Sequence, residues 1–352
     1  MKTGCASGPQ FGREKAEPAQ ALPEEVVAAW KKAGAKVGWM GLDESGLCFF
    51  ADKAEKLTGA VPAFEFFAWK EGKLVKLPVP AVPFGLSLYQ ARVTDSGLKE
   101  LAGLTSLQTL DLGCTAVTDA GLKELAGLTS LQELNLWGTA VTDAGLKELA
   151  GLTSLQKLNL GRTAVTDTGL KELAGLTSLQ ELDLGRTRVT DTGLKELAGL
   201  RLEWLSVPDT ARTDLGLKHY LAAIEAPKQL DLRYWKVTDA GLKELAGLTS
   251  LQTLYLGCTA VTGAGLKELA GLTSLQELDL GCTAVTDAGL KELAGLTSLQ
   301  TLYLYNTAVT DAGLKELAGL TSLQELNLEG TAVTDAGLKE LRKALPDCRI
   351  RH

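Results

Sequence analysis

The chain has few of the residues and motifs on which catalysis or metal binding usually depends. Only two histidines, His219 and His352, occur among its 352 residues, and the motifs HExxH, GxSxG and CxxC are missing. A nucleophilic serine, threonine or cysteine needs a positioned base, which the repeated segments of this chain do not supply. The sequence therefore predicts a non-enzymatic protein without a metal site and without a cofactor.

Basic charge and long apolar runs are scarce as well. The formal net charge is -7, whereas proteins that bind nucleic acids carry a basic stripe that neutralises phosphates. Lys, Glu and Thr recur throughout the chain, so no stretch approaches the roughly 18 to 20 apolar residues of a membrane-spanning helix. We expect neither a nucleic acid nor a membrane as the partner.

Cysteine is also too rare for a disulfide scaffold, with six residues in a chain of this length. Cys258 and Cys282 occupy the same place in adjacent repeats, about one strand spacing of 4.8 Å apart and within disulfide reach, but free thiols in a reducing compartment fit the composition better. Polar residues, Gly and Pro follow Met1 where the apolar core of a secretion signal would lie. We expect a cytoplasmic protein, unless a signal precedes the present start.

What the chain has in abundance is one repeated segment of 24 residues. The unit from Val117 to Ala140 reads VTDAGLKELAGLTSLQELNLWGTA, and a period in this range is typical of solenoids. Ten full units and a truncated eleventh follow one another. Their first residues are Val93, Val117, Val141, Val165, Val189, Arg212, Val237, Val261, Val285, Val309 and Val333.

The spacing of leucines within a unit predicts how one turn folds. Leu122 and Leu125 are three residues apart, as on one face of a helix, whereas Leu134 and Leu136 alternate as in a strand. Each turn is therefore predicted to contain a helix, a loop, a short parallel strand and a second loop. A single turn has too little apolar surface to fold alone, so stability must come from stacking of the turns.

The recurring polar residues and glycines are interpreted as structural. Thr118 and Asp119 precede the helix as capping residues, and Gly127 follows it where a left-handed residue is favoured. Gly263 replaces the Asp in one unit, which we expect to cost about 1 kcal/mol of local helix stability. Thr115 and its equivalents are expected to form a ladder of hydroxyl hydrogen bonds to neighbouring backbone.

The pattern LxxLxLxxT followed by VTDxGLKxL resembles bacterial leucine-rich-repeat proteins of the ribonuclease-inhibitor-like superfamily, over about three quarters of the chain. It is also similar to the cysteine-containing repeat subtype of F-box proteins, although Thr115, Thr139 and Thr163 stand where that subtype has Cys or Asn. The resemblance implies an α/β leucine-rich-repeat solenoid, a horseshoe with parallel strands on its concave side and helices on its convex side. It also implies that partners are held on the strands.

The two ends of the chain differ from the array. We interpret residues 1–22 as a flexible tail, residues 23–84 as an α+β capping segment and residues 85–352 as the solenoid with a helical C-terminal cap. A helix is predicted over residues 22–37, and strands are predicted near residues 46–50, near residues 61–70 and around residues 86–88. The run LPEEVV at the start of the capping segment is faintly similar to the opening of an F-box.

The outward-facing strand positions and the residues after them vary between units, whereas the rest of the unit barely changes. Trp, Tyr and Arg are the side chains most often found as interface anchors, and they concentrate at these variable positions. The candidate partner-binding residues are Trp137, Arg162, Arg186, Trp204, Arg233, Tyr234, Tyr255, Tyr303 and Tyr305.

These observations predict a non-catalytic scaffold that binds a protein on its concave face. Two alternatives stay open, a substrate-recognition subunit of an F-box-like ubiquitin ligase and a module that binds a glycan or peptide. Surface drift after duplication is an equally good explanation for any single candidate residue. Residues 201–236 depart most from the repeat, and they are either a degenerate turn or an irregularity shaped by a ligand.

Overall fold

A computed structural model describes residues 21–42 and 48–352. Residues 1–20, most of the predicted tail, lie outside the described residues, and that interpretation stays a prediction. The chain divides into two compact units, residues 1–208 and residues 209–352. Among the described residues, no helix combines the length and the apolar character needed to cross a bilayer.

The first unit begins with a helix and three antiparallel strands. Helix α1 (Glu24–Lys32) precedes strands β1 (Lys36–Leu42), β2 (Cys48–Ala51) and β3 (Thr58–Glu65), with a short 3-10 helix at Ala54–Lys56. Strand β1 lies between β2 and β3 and pairs antiparallel with both. The helix predicted over residues 22–37 is thus shorter, and its last part belongs to β1, a strand that the sequence analysis did not predict.

Aromatic side chains form the core of this N-terminal segment. Trp30 of α1 stacks on Phe64 of β3 with 4.1 Å between the ring centroids, and Phe66 and Phe84 pack edge-on or tilted around them. All four side chains are fully buried. The strand predicted near residues 61–70 ends at residue 65, because the chain then turns and Trp69 packs edge-on against Phe66.

The remaining strands of the first unit are parallel and in register. The first of them pairs with β3, and each later one pairs with the strand before it, so that equivalent residues of successive turns are neighbours. They are β4 (Phe84–Ser87), β5 (Leu107–Asp111), β6 (Glu133–Asn135), β7 (Lys157–Asn159), β8 (Glu181–Asp183) and β9 (Trp204–Ser206).

Short helices alternate with these strands, as the leucine spacing predicts. The α-helices are α2 (Asp95–Leu98), α3 (Asp119–Leu122), α4 (Asp143–Leu149) and α5 (Asp167–Leu170). A 3-10 helix follows α2, α3 and α5, at Lys99–Leu101, Lys123–Leu125 and Lys171–Leu173. In the next turn the 3-10 helix Gly193–Leu197 takes the place of an α-helix.

The second unit has the same construction, with a sheet of six parallel strands. The strands are β10 (Gln229–Asp231), β11 (Thr253–Tyr255), β12 (Glu277–Asp279), β13 (Thr301–Tyr303), β14 (Glu325–Asn327) and β15 (Arg349–Arg351). The α-helices are α6 (Asp214–Ala223), α7 (Asp239–Leu242), α8 (Asp287–Leu290), α9 (Asp311–Leu317) and α10 (Asp335–Ala344), with 3-10 helices at Asp209–Ala211, Lys243–Leu245, Leu266–Leu269 and Lys291–Leu293. Strand β15, after the predicted C-terminal helix, was not predicted.

The repeated leucines form a continuous core within each unit. Leu122, Leu125, Leu134 and Leu136 are at most 2% exposed, and their equivalents in other turns are buried in the same way. Parallel strands joined by helical segments, with this core between them, are the arrangement of a leucine-rich-repeat solenoid. The fold class predicted from the sequence is therefore confirmed.

The helix-capping interpretation needs a correction. The Thr118 hydroxyl caps α3 by accepting a hydrogen bond from the Ala120 amide, but Asp119 does not cap its own helix. Its carboxylate instead accepts hydrogen bonds from the amide and the hydroxyl of Thr142 in the next turn, at 2.7 and 2.6 Å. We call this repeated contact between turns the Asp–Thr ladder.

The ladder has a gap at Gly263. Within the described part of the chain, Thr286 forms neither of the bonds that its equivalents form with the preceding Asp, and it does not cap α8 through its side chain. A cavity of about 400 Å³ lies beside this position, lined among others by Thr262, Thr286 and Gly289. At Gly263 the structure thus shows a lost contact between turns together with a lost side-chain cap on α8, and the expected cost in stability stays a prediction.

The predicted left-handed residue lies elsewhere in the turn. Gly127 has no positive φ, and the residue that adopts the left-handed conformation follows the strand. At this position the chain has Cys114, Arg162 and Tyr234, with φ values of 56, 56 and 64°. The Thr115 hydroxyl just after it donates to the Leu112 carbonyl at 2.7 Å, so each of these threonines stabilises the loop of its own turn.

Candidate functional site

The side of each sheet that faces away from the leucine core carries the variable residues. Because side chains alternate along a strand, the leucine in the middle of each three-residue strand points inward and its two neighbours point outward. We call the outward-facing residues of β5–β9, with the second and third residues after each strand, the first strand face. The corresponding residues of β10–β15 form the second strand face.

A row of polar side chains crosses the first strand face. Asp111, Asn135, Asn159 and Asp183 are in register on successive strands. Asp111 accepts hydrogen bonds from the Gly113 amide at 2.8 Å and from the Asn135 side chain at 3.0 Å. Burial raises the pKa of its carboxyl from 3.8 to about 6, against the lowering effect of these two donors.

An ion triad lies beside this row. The Lys157 ammonium is 3.0 Å from a Glu181 carboxylate oxygen and 3.8 Å from one of Glu133. The three residues are in register on β6, β7 and β8, and their side chains are largely covered. One ammonium between two carboxylates leaves a net charge of -1 on this largely covered triad.

Trp137 and Arg162 are brought together on the first strand face. The Arg162 guanidinium lies 4.8 Å from the centre of the Trp137 ring, a cation–π distance. The indole also covers Gly161, where an added Cβ would lie 2.8 Å from a ring carbon. Within the described residues, neither Arg186, which is exposed, nor Trp204, which is half-buried at the level of Glu181, has an ionic or ring contact with this pair.

On the second strand face, Arg233 is held by a carboxylate and a ring. Its guanidinium donates two hydrogen bonds to Asp231, at 2.9 and 2.6 Å. It also lies 4.8 Å from the centre of the Tyr255 ring on the next strand. The hydrogen bonds with Asp231 raise the pKa of the guanidinium further above its usual value.

Tyr255 and Tyr303 flank a strand that carries two carboxylates. Asp279 of β12 is in register with Tyr255 on one side and Tyr303 on the other. Glu277 lies two residues earlier on the same face and forms a hydrogen bond with the Tyr255 hydroxyl. Burial and the nearby Glu277 charge raise the pKa of Tyr255 to about 12, and burial raises the pKa of Asp279.

Tyr305 and Tyr234 complete the second strand face. The Tyr305 ring covers Gly281, where any side chain would collide with it. Burial raises the pKa of Tyr305 to about 12, and the Tyr234 and Asp279 groups are near enough to add to the effect. Tyr234 is 74% exposed although it occupies a left-handed backbone position. An exposed aromatic side chain on strained backbone does not benefit folding, so its place here favours a role in binding.

All five candidates of the second unit therefore share one face, whereas the four of the first unit form one pair and two separate residues. Sequence reasoning did not select Glu277 as a site residue. The signal was present, since the alternation in Glu277-Leu278-Asp279 places both acids on the outward side.

In the irregular segment, residues 201–236, the packing of Trp235 explains the departure from the repeat at that position. Trp235 replaces the conserved threonine of the turn, is only 7% exposed, and packs edge-on against Tyr220 with 5.5 Å between centroids. Its amide donates to the Leu232 carbonyl, as the amide of the replaced threonine does in other turns. This aromatic pair fills the wider turn, which favours the interpretation of a degenerate repeat at this residue.

Side chains that could hold a metal are not grouped in the described residues: no cluster of three or more His, Cys, Asp or Glu is found there. Cys258 and Cys282 are free thiols in hydrogen-bond contact with each other, and Cys114 and Cys348 are free as well.

Comparisons with known proteins agree with this geometry. One leucine-rich-repeat profile matches residues 130–189 and 273–333, and a second matches residues 103–126 and 247–270. The structure is similar to that of an internalin, InlF, from Listeria monocytogenes, with 23% identity, 93% of each chain covered and a TM-score of 0.58. A leucine-rich-repeat protein of Leptospira interrogans has 20% identity, with 82% of this chain and 93% of that chain covered and a TM-score of 0.49. No curated protein sequence matches the chain.

Proposed function

We propose that this chain, whose fold is that of a leucine-rich-repeat solenoid, is a non-catalytic scaffold that binds a protein partner on its second strand face. The observation that carries the proposal is the grouping of Arg233, Tyr234, Tyr255, Tyr303 and Tyr305 on one side of one sheet. Large rings and a guanidinium with accessible surface are typical interface anchors. The Trp137–Arg162 pair on the first strand face is a second, smaller candidate contact.

Several further expectations belong to this proposal. We infer that residues 23–84 cap the array, because their aromatic core closes one end of the parallel sheet. We also infer a place in the ribonuclease-inhibitor-like superfamily, a cytoplasmic location compatible with the free thiols, and a partner other than nucleic acid.

The F-box alternative gains no support, since strands β1–β3 follow α1 where an F-box would continue with helices.

The test is a quantitative capture experiment with the full chain on a support. The face variant combines Tyr255→Ala with Tyr303→Ala. The matched control combines Lys267→Ala with Lys291→Ala, two lysines that are 66 and 64% exposed on the helical side of the same unit. Circular dichroism verifies that both variants keep the fold.

A specific partner should be recovered equally by the unmodified chain and the control. Its affinity for the face variant should be at least about tenfold lower, because two hot-spot rings are removed. Equal recovery by a folded face variant would remove the second strand face as the binding surface.

A further inference from the structure

The second strand face contains a site for a guanidinium that the chain fills with its own arginine. Asp231 holds Arg233 through two hydrogen bonds, and the Tyr255 ring on the next strand covers the guanidinium at 4.8 Å. A carboxylate for charge and an aromatic face for stacking are the two groups that arginine side chains prefer in proteins.

The same pattern recurs two turns later without the arginine. Asp279 occupies the place of Asp231, and Tyr303 on the next strand occupies the place of Tyr255. The residue at the place of Arg233 is Gly281, which the Tyr305 ring covers so closely that no side chain fits there. The chain therefore supplies no cation from this position, which leaves Asp279 without the arginine that Asp231 holds.

The charges around Asp279 are also unbalanced. Two strands away on either side of β12, Asp231 of β10 is paired with Arg233, and Glu325 of β14 is paired with Arg351 at 3.0 Å. Among the residues that the structure describes, neither Glu277 nor Asp279 of β12 forms an ion pair of this kind, although Arg233 is near enough to act on Asp279, which is only 5% exposed. The Asp279 carboxylate leans over Gly257, between β11 and β12, with one oxygen held by the Gly281 amide at 2.8 Å.

We propose that Glu277, Asp279, Tyr255 and Tyr303, which we call the acidic–aromatic slot, bind an arginine or lysine side chain of the protein partner. The two carboxylates supply the complementary charge, and the tyrosine rings supply the flanking aromatic surfaces. This inference rests on the proposed function and specifies which chemistry of the partner the second strand face selects.

The probes are three acetylated and amidated peptides of sequence Gly-Ser-Thr-Xaa-Thr-Ser-Gly, in which Xaa is Arg, Gln or Glu. Each is titrated into the full chain with labelled tyrosines, and the ring signals of Tyr255 and Tyr303 are followed by NMR. The Arg peptide should bind at least about tenfold more tightly than the Gln peptide, because it adds an ion pair and a cation–π contact. The Glu peptide should bind least.

The variant that tests the charges combines Glu277→Gln with Asp279→Asn and keeps the shape of both side chains. Asparagine is already used at the equivalent places Asn135, Asn159 and Asn327, where its carbonyl accepts the same backbone hydrogen bond. The matched control is Asp183→Asn, the same change at the same repeat position of the first unit. The slot variant should lose the preference for Arg over Gln, and the control should keep it.

Two results would overturn the inference. One is equal binding of the Arg, Gln and Glu peptides, as expected of a surface that recognises a glycan or an uncharged segment. The other is an unchanged Arg preference in the folded slot variant. If the Tyr255→Ala and Tyr303→Ala chain loses a captured partner but the slot variant retains it fully, the slot inference fails while the proposed function stands.

Discussion

At the scale of single residues, the position with left-handed backbone after a strand is often occupied by a residue other than glycine. Gly138, Gly330 and Asn306 adopt the conformation with little strain, whereas Arg186 and Cys114 occupy it at φ values of 60 and 56°. A residue with a Cβ is disfavoured there by about 1–2 kcal/mol. The turns with Arg or Cys at this position are therefore less stable than they would be with the glycine that other turns have there.

Replacing Arg186 by Gly should stabilise the first unit. The side chain is exposed and the backbone is left-handed, so the change removes strain without removing a buried contact. We expect a gain of roughly 0.5 to 1 kcal/mol, after allowance for the greater entropy of glycine in the unfolded chain. Urea unfolding measures it. Arg188→Gly, at an exposed position without a positive φ, should lower stability, and a gain there of equal size would contradict the explanation.

The buried carboxyl of Asp111 should make stability depend on pH. Its pKa in the folded chain is about 6, above the usual 3.8, so ionisation costs the folded state more than the unfolded state. This penalty is absent below about pH 4, grows as the pH rises, and is complete above about pH 6.

Asp111→Asn should therefore stabilise the chain by roughly 1 to 2 kcal/mol at pH 7.5 and by little at pH 3.5. Asparagine can still accept from the Gly113 amide, as Asn159 does from Gly161. Denaturant midpoints of both chains at the two pH values give the measurement. An equal effect at both values would show that the carboxyl charge is not the cause.

The single residues also mark the limit of what the sequence predicts. The leucines of each turn were placed correctly, because helical and strand periods are visible within one unit. The left-handed residue was assigned to Gly127 instead of Cys114, because neither cysteine nor arginine has an intrinsic preference for that conformation. Contacts between turns, such as that of Asp119 with Thr142, join residues 23 apart and have no local signal.

At the scale of the elements, the Asp–Thr ladder connects the starts of successive helices within each unit. Each step contributes two hydrogen bonds to a carboxylate, for instance from Thr166 to Asp143 at 2.7 and 2.6 Å. Hydrogen bonds to charged groups stabilise proteins more than those between neutral groups. The gap at Gly263 lies inside the second unit and offers a comparison within the same chain.

Asp143→Ala should destabilise the chain by roughly 1 to 3 kcal/mol, since Thr166 loses both bonds. Gly263→Asp should stabilise it by less, about 1 kcal/mol, because an added Cβ lies 2.9 Å from the Gly289 backbone and the two turns must shift. Thermal and urea unfolding of the two variants provide the test. Destabilisation by Gly263→Asp would mean that the turns beside the gap cannot separate enough to admit a carboxylate.

The elements were predicted unevenly along the chain. Within the array, the strands follow from alternating leucines and the helices from their spacing. In the N-terminal segment, β1 was not predicted, and its first two residues, Lys36 and Val37, were assigned to the end of a helix. Of the candidate site, the sequence identified the aromatic residues and Arg233, but which rings flank which carboxylates depends on the register of the strands.

At the scale of the whole molecule, the expected role of residues 23–84 as a cap can be tested by removal. A chain that starts at residue 86 lacks α1, β1–β3 and the first half of β4, so it uncovers the remaining edge of β4 and the buried Leu86 and Leu107. An open sheet edge next to exposed leucines favours association with other chains. We expect this truncated chain to form oligomers in sedimentation velocity experiments. A soluble monomer would contradict the capping role.

The proposed function of the molecule requires that a protein partner lie against the second strand face. The most direct measurement places a photo-crosslinking amino acid at position 303 or, as the control, at the exposed position 267 of the helical side, and irradiates each chain with the captured partner. We predict crosslinked partner from position 303 and none from position 267. Crosslinking from position 267 alone would contradict the account.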